Sequence, residues 1–572
     1  MALGLYAIAA VVLIARPAVG DPSHVCVCVG PAGDPPFFMW ALKWWPYAVG
    51  HGLNPFYSHA VWYPGGANIA TATSIPGAAG VLWPVTSLWG PVVAYNVGAV
   101  LGPVLSAQAA YGLCRYVTDR YWPSVVGGFV YGFSSYELAQ LMGHLHIALV
   151  FLVPLVPLVV LRRLDGRISR AGFVVGLGAI MAGQALLSTE IAFDVLLLGA
   201  LGLLPAWWLT PAPGRRRLGG VLGEIAVAGA LAAAVISPYL YWALIKGNPG
   251  RHYGTVAGTV FAERYRLNPL NLVVPTPITW LGGASVSGLH HFDGGNIVEA
   301  GGYVGLPLLL VFAAGAVATR RRAGTRFLVV MLGIALVLAL GPRLSYGAHS
   351  VIPLPWRAVE NAPLFKAVLP TRFALFVALI LGVGVAVALA RERRRPWVAW
   401  AAAIAGVLAV LPDPTGGFWH SRVAGVPLVV ADAGRYLPAR GSILMVPVGQ
   451  FGYSMYWQAA SDFAFVQANG RVGLVLPPEY AKETASLVMA NYAGPPGRAD
   501  LHGFLIRHRV TAVVVQPQSR GLWEGRLLAL GLHRREVAGV SIYYACGQAL
   551  HGQACDARTA TPLKAIRRLP PS

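Results

Sequence analysis

Residues 370–395 read PTRFALFVALILGVGVAVALARERRR, and the two ends of this run differ in kind. Positions 371–390 are apolar over about the 20 residues that a helix needs to cross a bilayer core. One end closes on the cluster Arg391 to Arg395, and the other carries a single arginine, Arg372. Basic clusters beside apolar spans mark the cytoplasmic side, so Arg372 is expected at the opposite, outer surface.

The same grammar recurs through the chain. Arg162-Arg163 through Arg170, Arg215-Arg216-Arg217, and Arg320-Arg321-Arg322 with Arg326 all sit between apolar runs. Only 11% of the 572 residues are charged and 56% are hydrophobic, whereas a soluble chain carries about a quarter charged residues. The net charge of +21 is therefore read as positive-inside loops and not as a nucleic-acid surface. The sequence predicts an α-helical polytopic membrane protein with about eleven spans. They lie near 1–19, 92–114, 122–138, 146–161, 171–187, 191–209, 218–243, 303–318, 327–341, 371–390 and 397–411. The first run lacks the basic leader of a cleaved signal and is read as the first helix.

Placing every basic cluster in the cytoplasm puts the N-terminus inside and the C-terminus outside. Residues 20–91, the turns at Gly143-His144 and Ser188-Thr189-Glu190, and the loops 244–302 and 342–370 then face outward together. In the first outer loop, 20–91, the aromatic stretch Phe37-Phe38-Met39-Trp40 with Trp44-Trp45 predicts a helix over about 35–50 lying at the membrane interface. Beyond residue 411 the pattern changes to short β-branched runs, Val426 to Val430, Ser442 to Val448 and Val510 to Val515. Helical stretches are expected near 479–492 and 521–531. The division is thus a transmembrane domain over 1–411 and an extracytoplasmic α/β domain over 412–572. Cys546 and Cys555 suit a disulfide if that domain lies outside, and no His pair accompanies them at zinc spacing.

Several polar residues stand at the outer ends of the spans. Asp34, in Gly33-Asp34-Pro35, is either a helix N-cap or a catalytic carboxylate at the membrane surface, with Asp21 as its rival. His144 lies at an outer helix end, and His146 falls in the next expected span. Glu190 sits at a tight outer turn with Asp194 one helical turn further in, where ionisable groups usually line a cavity or substrate path. Glu299 stands at another outer edge. Arg372, preceded in its loop by Arg357 and Lys366, has a guanidinium suited to gripping a phosphate, or to ordinary snorkelling among lipid headgroups.

Taken together, Gly33-Asp34-Pro35 with the Trp-rich helix, Pro64-Gly65-Gly66-Ala67-Asn68, Gly143-His144-Leu145-His146, Glu299 with Tyr303, and Pro370-Thr371-Arg372-Phe373 resemble the GT-C glycosyltransferases. These are polytopic membrane enzymes that use polyprenyl-phosphate-linked sugars. The resemblance implies a transferase of the bacterial cell-envelope type that moves a sugar from such a donor to a glycan, glycolipid or protein acceptor, with inversion. It implies Asp34 as general base and Arg372, Lys366 and Arg357 as donor-phosphate cations. His144, Glu190, Glu299 and Tyr303 are the candidate substrate-binding residues. Family members carry paired acidic residues, and Asp34 has no acidic neighbour. No cofactor is therefore expected, and a divalent metal is not indicated. Two other classes stay open: a transporter or flippase for an envelope lipid or glycan precursor, and a non-catalytic assembly protein. Against the transporter, the sequence shows no inverted repeat.

Overall fold

The computed structural model describes residues 1–29, 33–246, 259–282, 297–346, 349–362, 365, 368–392, 394–413, 417–449, 452–470, 497–546 and 555–563. Lys366 and the helix expected near 479–492 lie outside the described residues. Among those described, six helices are long and apolar enough to cross a membrane: Ala2–Gly20, Trp83–Thr118, Arg170–Leu187, Thr189–Leu209, Gly214–Val235 and Pro370–Arg391. Three shorter apolar helices, Leu306–Ala318, Ala323–Ala339 and Pro396–Ala409, accompany them. The chain is a multi-pass membrane protein.

Two expected spans take another form. Instead of one helix over 122–138, the chain folds as Tyr121–Gly132 and Ser135–Leu141, with the Ser134 hydroxyl accepting from the Glu137 amide to start the second. Instead of one helix over 146–161, it gives a single turn, Leu145–Ala148, and then Leu155–Leu164 after Pro154. Proline has no N–H for the helical ladder and clashes with the preceding turn, so the apolar run through Pro154 is divided.

The run that opened the sequence reading is the hub. Every residue from Ala374 to Leu389 is buried, and the helix packs against Tyr121–Gly132, Leu306–Ala318 and Ala323–Ala339. One of its close approaches is glycine on glycine. A Cβ on Gly382 would stand 2.6 Å from the Gly127 carbonyl, and one on Gly127 would stand 2.7 Å from that of Gly382. Small residues let membrane helices approach to backbone contact. Large apolar side chains such as Ile8, Leu196, Leu204, Leu310 and Val317 point outward instead, as lipid-facing positions should.

The basic turns and the polar turns occupy opposite ends of these helices. Tyr116 donates to Asp165, Arg217 donates to the Leu164 carbonyl, and Arg163 grips Glu224 at 2.6 and 2.7 Å. These contacts gather three loops around the Arg162–Arg170 cluster. Helix Arg170–Leu187 rises from that cluster over about 27 Å to the Ser188-Thr189-Glu190 turn.

The helix expected over about 35–50 forms over Pro35–Gly50, but protein covers much of it. Eleven of its sixteen residues are buried, including Phe37, Phe38, Trp40, Trp44 and Trp45. One side packs on Trp83–Thr118 and another on Ser454–Ala460, from the far end of the chain. Trp40 Nε1–H donates to Gln458 Oε1 at 2.8 Å, and Gln458 Nε2 donates to the carbonyls of Ala60 and Phe465. Lys43 pairs with Asp462 at 2.7 Å, and Val25–Cys26 pairs antiparallel with Ser421–Arg422. The loop 20–91 and the residues beyond 411 therefore build one core. Gln458→Leu should leave the Trp40 indole N–H and the Phe465 carbonyl unpaired, each costing about 1–3 kcal/mol, while the Ala60 carbonyl keeps the Gln467 amide. The expected result is a lower thermal midpoint in detergent and earlier proteolytic cutting after residue 411.

Beyond residue 411 a four-stranded sheet forms in the order Ser442–Val446, Val510–Val515, Val540–Tyr544, His533–Val537. The first pair is parallel and the others antiparallel. Helices Arg498–Arg507 and Arg520–Ala529 flank the strand Val510–Val515 in sequence. The expected strand over Val426 to Val430 is instead a helical turn, Leu428–Ala431, because Pro427 cannot donate to a ladder. The edge strand His533–Val537 escaped the sequence reading because four of its five residues are exposed and three are charged. Charge is a common protection for an unpaired sheet edge. Cys546 and Cys555 are joined, as are Cys26 and Cys28.

Candidate functional site

Asp34 stands at the N-cap position of helix Pro35–Gly50, and its carbonyl accepts from the amides of Phe37 and Phe38. Its carboxylate makes no capping hydrogen bond, although Asp is among the best capping residues. It turns to His144, with Oδ2 3.5 Å from Nε2, and the two side chains are 19% and 17% exposed. The rival carboxylate is elsewhere: Asp21 binds His24 Nδ1 at 2.7 Å and faces Arg422 at 3.5 Å.

His144 follows helix Ser135–Leu141, its amide donating to the Gln140 carbonyl at 2.7 Å. Side chains four apart on a helix share a face, so Gln140 and His144 meet: Oε1 and Nδ1 are 2.8 Å apart. Glu299 Oε1 lies 3.5 Å from the same Nδ1. The segment that carries Glu299 is pressed on this helix at Gly301, where a Cβ would stand 2.6 Å from the Tyr136 Cα.

Arg372 completes the cluster. Its Nη2 donates to Glu299 Oε1 at 2.8 Å and its Nη1 to Glu190 Oε2, while the Thr371 hydroxyl donates to the Glu299 carbonyl at 3.1 Å. The outer arginine expected to need a local partner has two, and both its terminal nitrogens are engaged. Its Nε is buried without an acceptor. Glu190 lies in the first turn of helix Thr189–Leu209, which Ser188 caps by accepting from the Ile191 amide. Asp194, one turn on, is fully buried with neither carboxylate oxygen hydrogen-bonded.

Five of the sequence candidates thus converge: Asp34, His144, Glu190, Glu299 and Arg372. Others stand apart. Tyr303 packs in an apolar cluster with Val304, Leu308 and Phe312. Arg357 is exposed on the turn Pro355–Ala358. His146 is buried and stacks on Phe38 with ring centroids 5.3 Å apart. Pro64-Gly65-Gly66-Ala67-Asn68 is a hairpin turn whose Asn68 side chain donates to the Trp242 carbonyl. Sequence reading missed Gln140, and its spacing of four from His144 was the signal available. Among the described residues no group of three or more His, Cys, Asp or Glu side chains is arranged to hold a metal ion.

Burial pushes the Glu299 carboxyl up, but the charges of Arg372 and His144, with hydrogen bonds from Arg372 and Gln140, outweigh it and hold the group below its ordinary value of 4.5. A carboxylate depressed on folding adds stability that is complete above about pH 4.5 and lost as pH falls through the lower folded value. On acidification from about pH 7 to about pH 3, wild type should lose thermal stability faster than Glu299→Gln, so the gap between them closes. Parallel curves in a detergent melt would remove Glu299 from the charged cluster.

The polar cluster stands at one end of a bundle of membrane helices, and the chain shares its fold with solved membrane glycosyltransferases of the GT-C type. The oligosaccharyltransferase AglB from Archaeoglobus fulgidus, solved with an inhibitory peptide and a dolichol-phosphate, aligns over 95% of this chain and 73% of its own, with TM-score 0.51 and 14% identity. ArnT from Cupriavidus metallidurans, bound to undecaprenyl phosphate, aligns over 94% and 97% with TM-score 0.50 and 14% identity. The arabinofuranosyltransferase AftD from Mycobacteria gives TM-score 0.55 at 15% identity over 95% of this chain, which spans 41% of AftD. The chain belongs to the family described as Domain of unknown function (DUF6311), whose model matches residues 4–411. No curated protein matches it.

Proposed function

We propose that the protein is a membrane glycosyltransferase that moves a sugar from a polyprenyl-phosphate donor to an envelope glycan, glycolipid or protein acceptor at the outer face, inverting the anomeric centre. The observation that carries this reading is the Asp34 carboxylate. It leaves its helix amides uncapped and faces His144 in a cluster closed by Glu299, Arg372 and Glu190. In the reaction Asp34 takes the proton of an acceptor hydroxyl as that oxygen attacks the anomeric carbon. The bond from that carbon to the phosphate oxygen breaks, and its electron pair leaves with the lipid phosphate. Arg372 is the cation of the cluster assigned to that phosphate; Arg357, exposed on its turn, and Lys366 are assigned to it from the family resemblance alone. His144, Glu190 and Glu299 are assigned to substrate binding, and no metal or other cofactor is assigned. Two neighbours in fold, ArnT and AglB, were solved with undecaprenyl phosphate and a dolichol-phosphate, and this supports the donor class.

The proposed topology has about eleven spans over 1–411, with the N-terminus cytoplasmic and an α/β domain over 412–572 outside. Two observations support it. The loop 20–91 shares one core with the residues beyond 411, so both lie on one side of the membrane. Each also carries a disulfide, a bond that persists in oxidising compartments.

The decisive experiment incubates the purified protein with a panel of polyprenyl-phosphate sugars and measures free polyprenyl phosphate. The expected result is release that depends on an added acceptor. Movement of lipid across sealed vesicles with no glycosidic bond formed would replace the reading with a transporter. Cysteine-accessibility labelling that found residues 34 and 372 on opposite sides of the bilayer would end it.

A further inference from the structure

We infer that Gln140 is a positioning residue that locks the proton of neutral His144 on Nδ1, so that His144 exchanges protons only through Nε2, the nitrogen that faces Asp34. The argument starts from the amide, because a glutamine side chain has one donor end and one acceptor end. Gln140 Nε2 lies 3.1 Å from the Val298 carbonyl and 3.5 Å from Glu299 Oε2, both of which only accept. Flipping the amide would set its oxygen against those two oxygens. The orientation is therefore fixed, and Gln140 Oε1 points at His144 Nδ1 at 2.8 Å. An amide oxygen cannot donate, so Nδ1 must carry the hydrogen. Glu299 Oε1, 3.5 Å from Nδ1, reinforces the same choice. Gln140 is 1% exposed, which keeps water from competing for either end.

The consequence lies at the other nitrogen. With Nδ1–H fixed, Nε2 presents a lone pair when the ring is neutral and an N–H when it is charged, 3.5 Å from Asp34 Oδ2. A hydroxyl hydrogen-bonded to Asp34 can give that carboxylate its proton, and Nε2, 3.5 Å away, can then take the proton from the carboxyl. One proton moves, the carboxylate is restored, and the imidazole becomes an imidazolium facing two carboxylates, Asp34 and Glu299. The charged and titratable groups around the ring are Asp34 from the first loop, Glu299 from the segment before helix Leu306–Ala318, Arg372 at the start of the span Pro370–Arg391, and His146 on its own segment. What Nε2 does with the proton rests on the transferase reading, whereas the tautomer does not.

The test is nitrogen NMR of the full chain in lipid nanodiscs with isotope-labelled histidine, the His144 signals being identified by their loss in His144→Gln. The expected spectrum has neutral His144 protonated on Nδ1 by at least about tenfold over the other tautomer, the size of one good hydrogen bond. Gln140→Leu, which removes the nearer acceptor from Nδ1 and leaves only the more distant Glu299, should shrink that preference severalfold. Neutral His144 protonated on Nε2 in the wild type would overturn the inference without any variant. So would a Gln140→Leu spectrum unchanged from wild type. A tautomer that follows residue 140 while Asp34→Asn keeps full sugar transfer would support the role of Gln140 and overturn the transferase site.

Discussion

Asp34→Asn should lower sugar transfer by about 10²–10⁴-fold, the usual contribution of a positioned general base, while the protein melts at its wild-type temperature. The two halves of that expectation have separate grounds. Asparagine is isosteric and as good at an N-cap as aspartate, so helix Pro35–Gly50 keeps its start. The carboxylate contributes no capping hydrogen bond, so none is lost. What goes is the acceptor for the hydroxyl proton beside His144 Nε2. Binding of the polyprenyl-phosphate donor should survive, so the loss belongs to the rate of the chemical step. Asp21→Asn is the matched control and should keep transfer, because Asp21 is occupied by His24 and Arg422. Full activity in the Asp34 variant, or an equal loss in the Asp21 variant, would take the base away from Asp34.

The largest effect on the fold itself is expected at Arg372. Replacing it with Met removes the cation that lies between Glu190 and Glu299 and leaves two carboxylates facing each other inside the protein. Removing one partner of a buried ion pair costs about 3–5 kcal/mol, because the remaining charge stays buried without compensation. Arg372→Met should therefore be poorly expressed and should aggregate at a markedly lower temperature in detergent. Arg372→Lys should recover only part of this, since one ammonium cannot hold two carboxylates in the planar fork of a guanidinium. The variant that combines Arg372→Met with Glu190→Gln and Glu299→Gln should recover most of the stability and none of the transfer. An Arg372→Met protein that melts within about 1 °C of wild type would mean that the three groups are not one electrostatic unit.

Much of the site was legible because membranes make polar residues conspicuous. Asp34, His144, Glu190, Glu299 and Arg372 stand out at the ends of apolar runs, and the positive-inside rule alone puts all five on one side. Their pairing was not legible. Arg372 looked like a free cation for a phosphate, and the two carboxylates that engage it come from positions 182 and 73 residues away. Gln140 was missed because an isolated glutamine in an apolar helix carries no charge signal. Its role exists only once Val298 and Glu299 are brought against it. The Trp-rich helix was found within a residue or two of its ends, yet its environment was misjudged. A tryptophan covered by Gln458 and Phe463 and one covered by lipid are identical in sequence.

By itself the sequence determined that this is a multi-pass membrane protein, which turns lie together at one end of its helices, and that the chain changes character after residue 411. Those properties follow from hydropathy and the placement of charge, which act over one span at a time. Only the tertiary structure decided which carboxylates hold Arg372 and which nitrogen of His144 meets Asp34. It also decided that the loop 20–91 and the C-terminal residues share one core. Each of these depends on contacts between residues tens to hundreds of positions apart, and local composition carries no record of such partners.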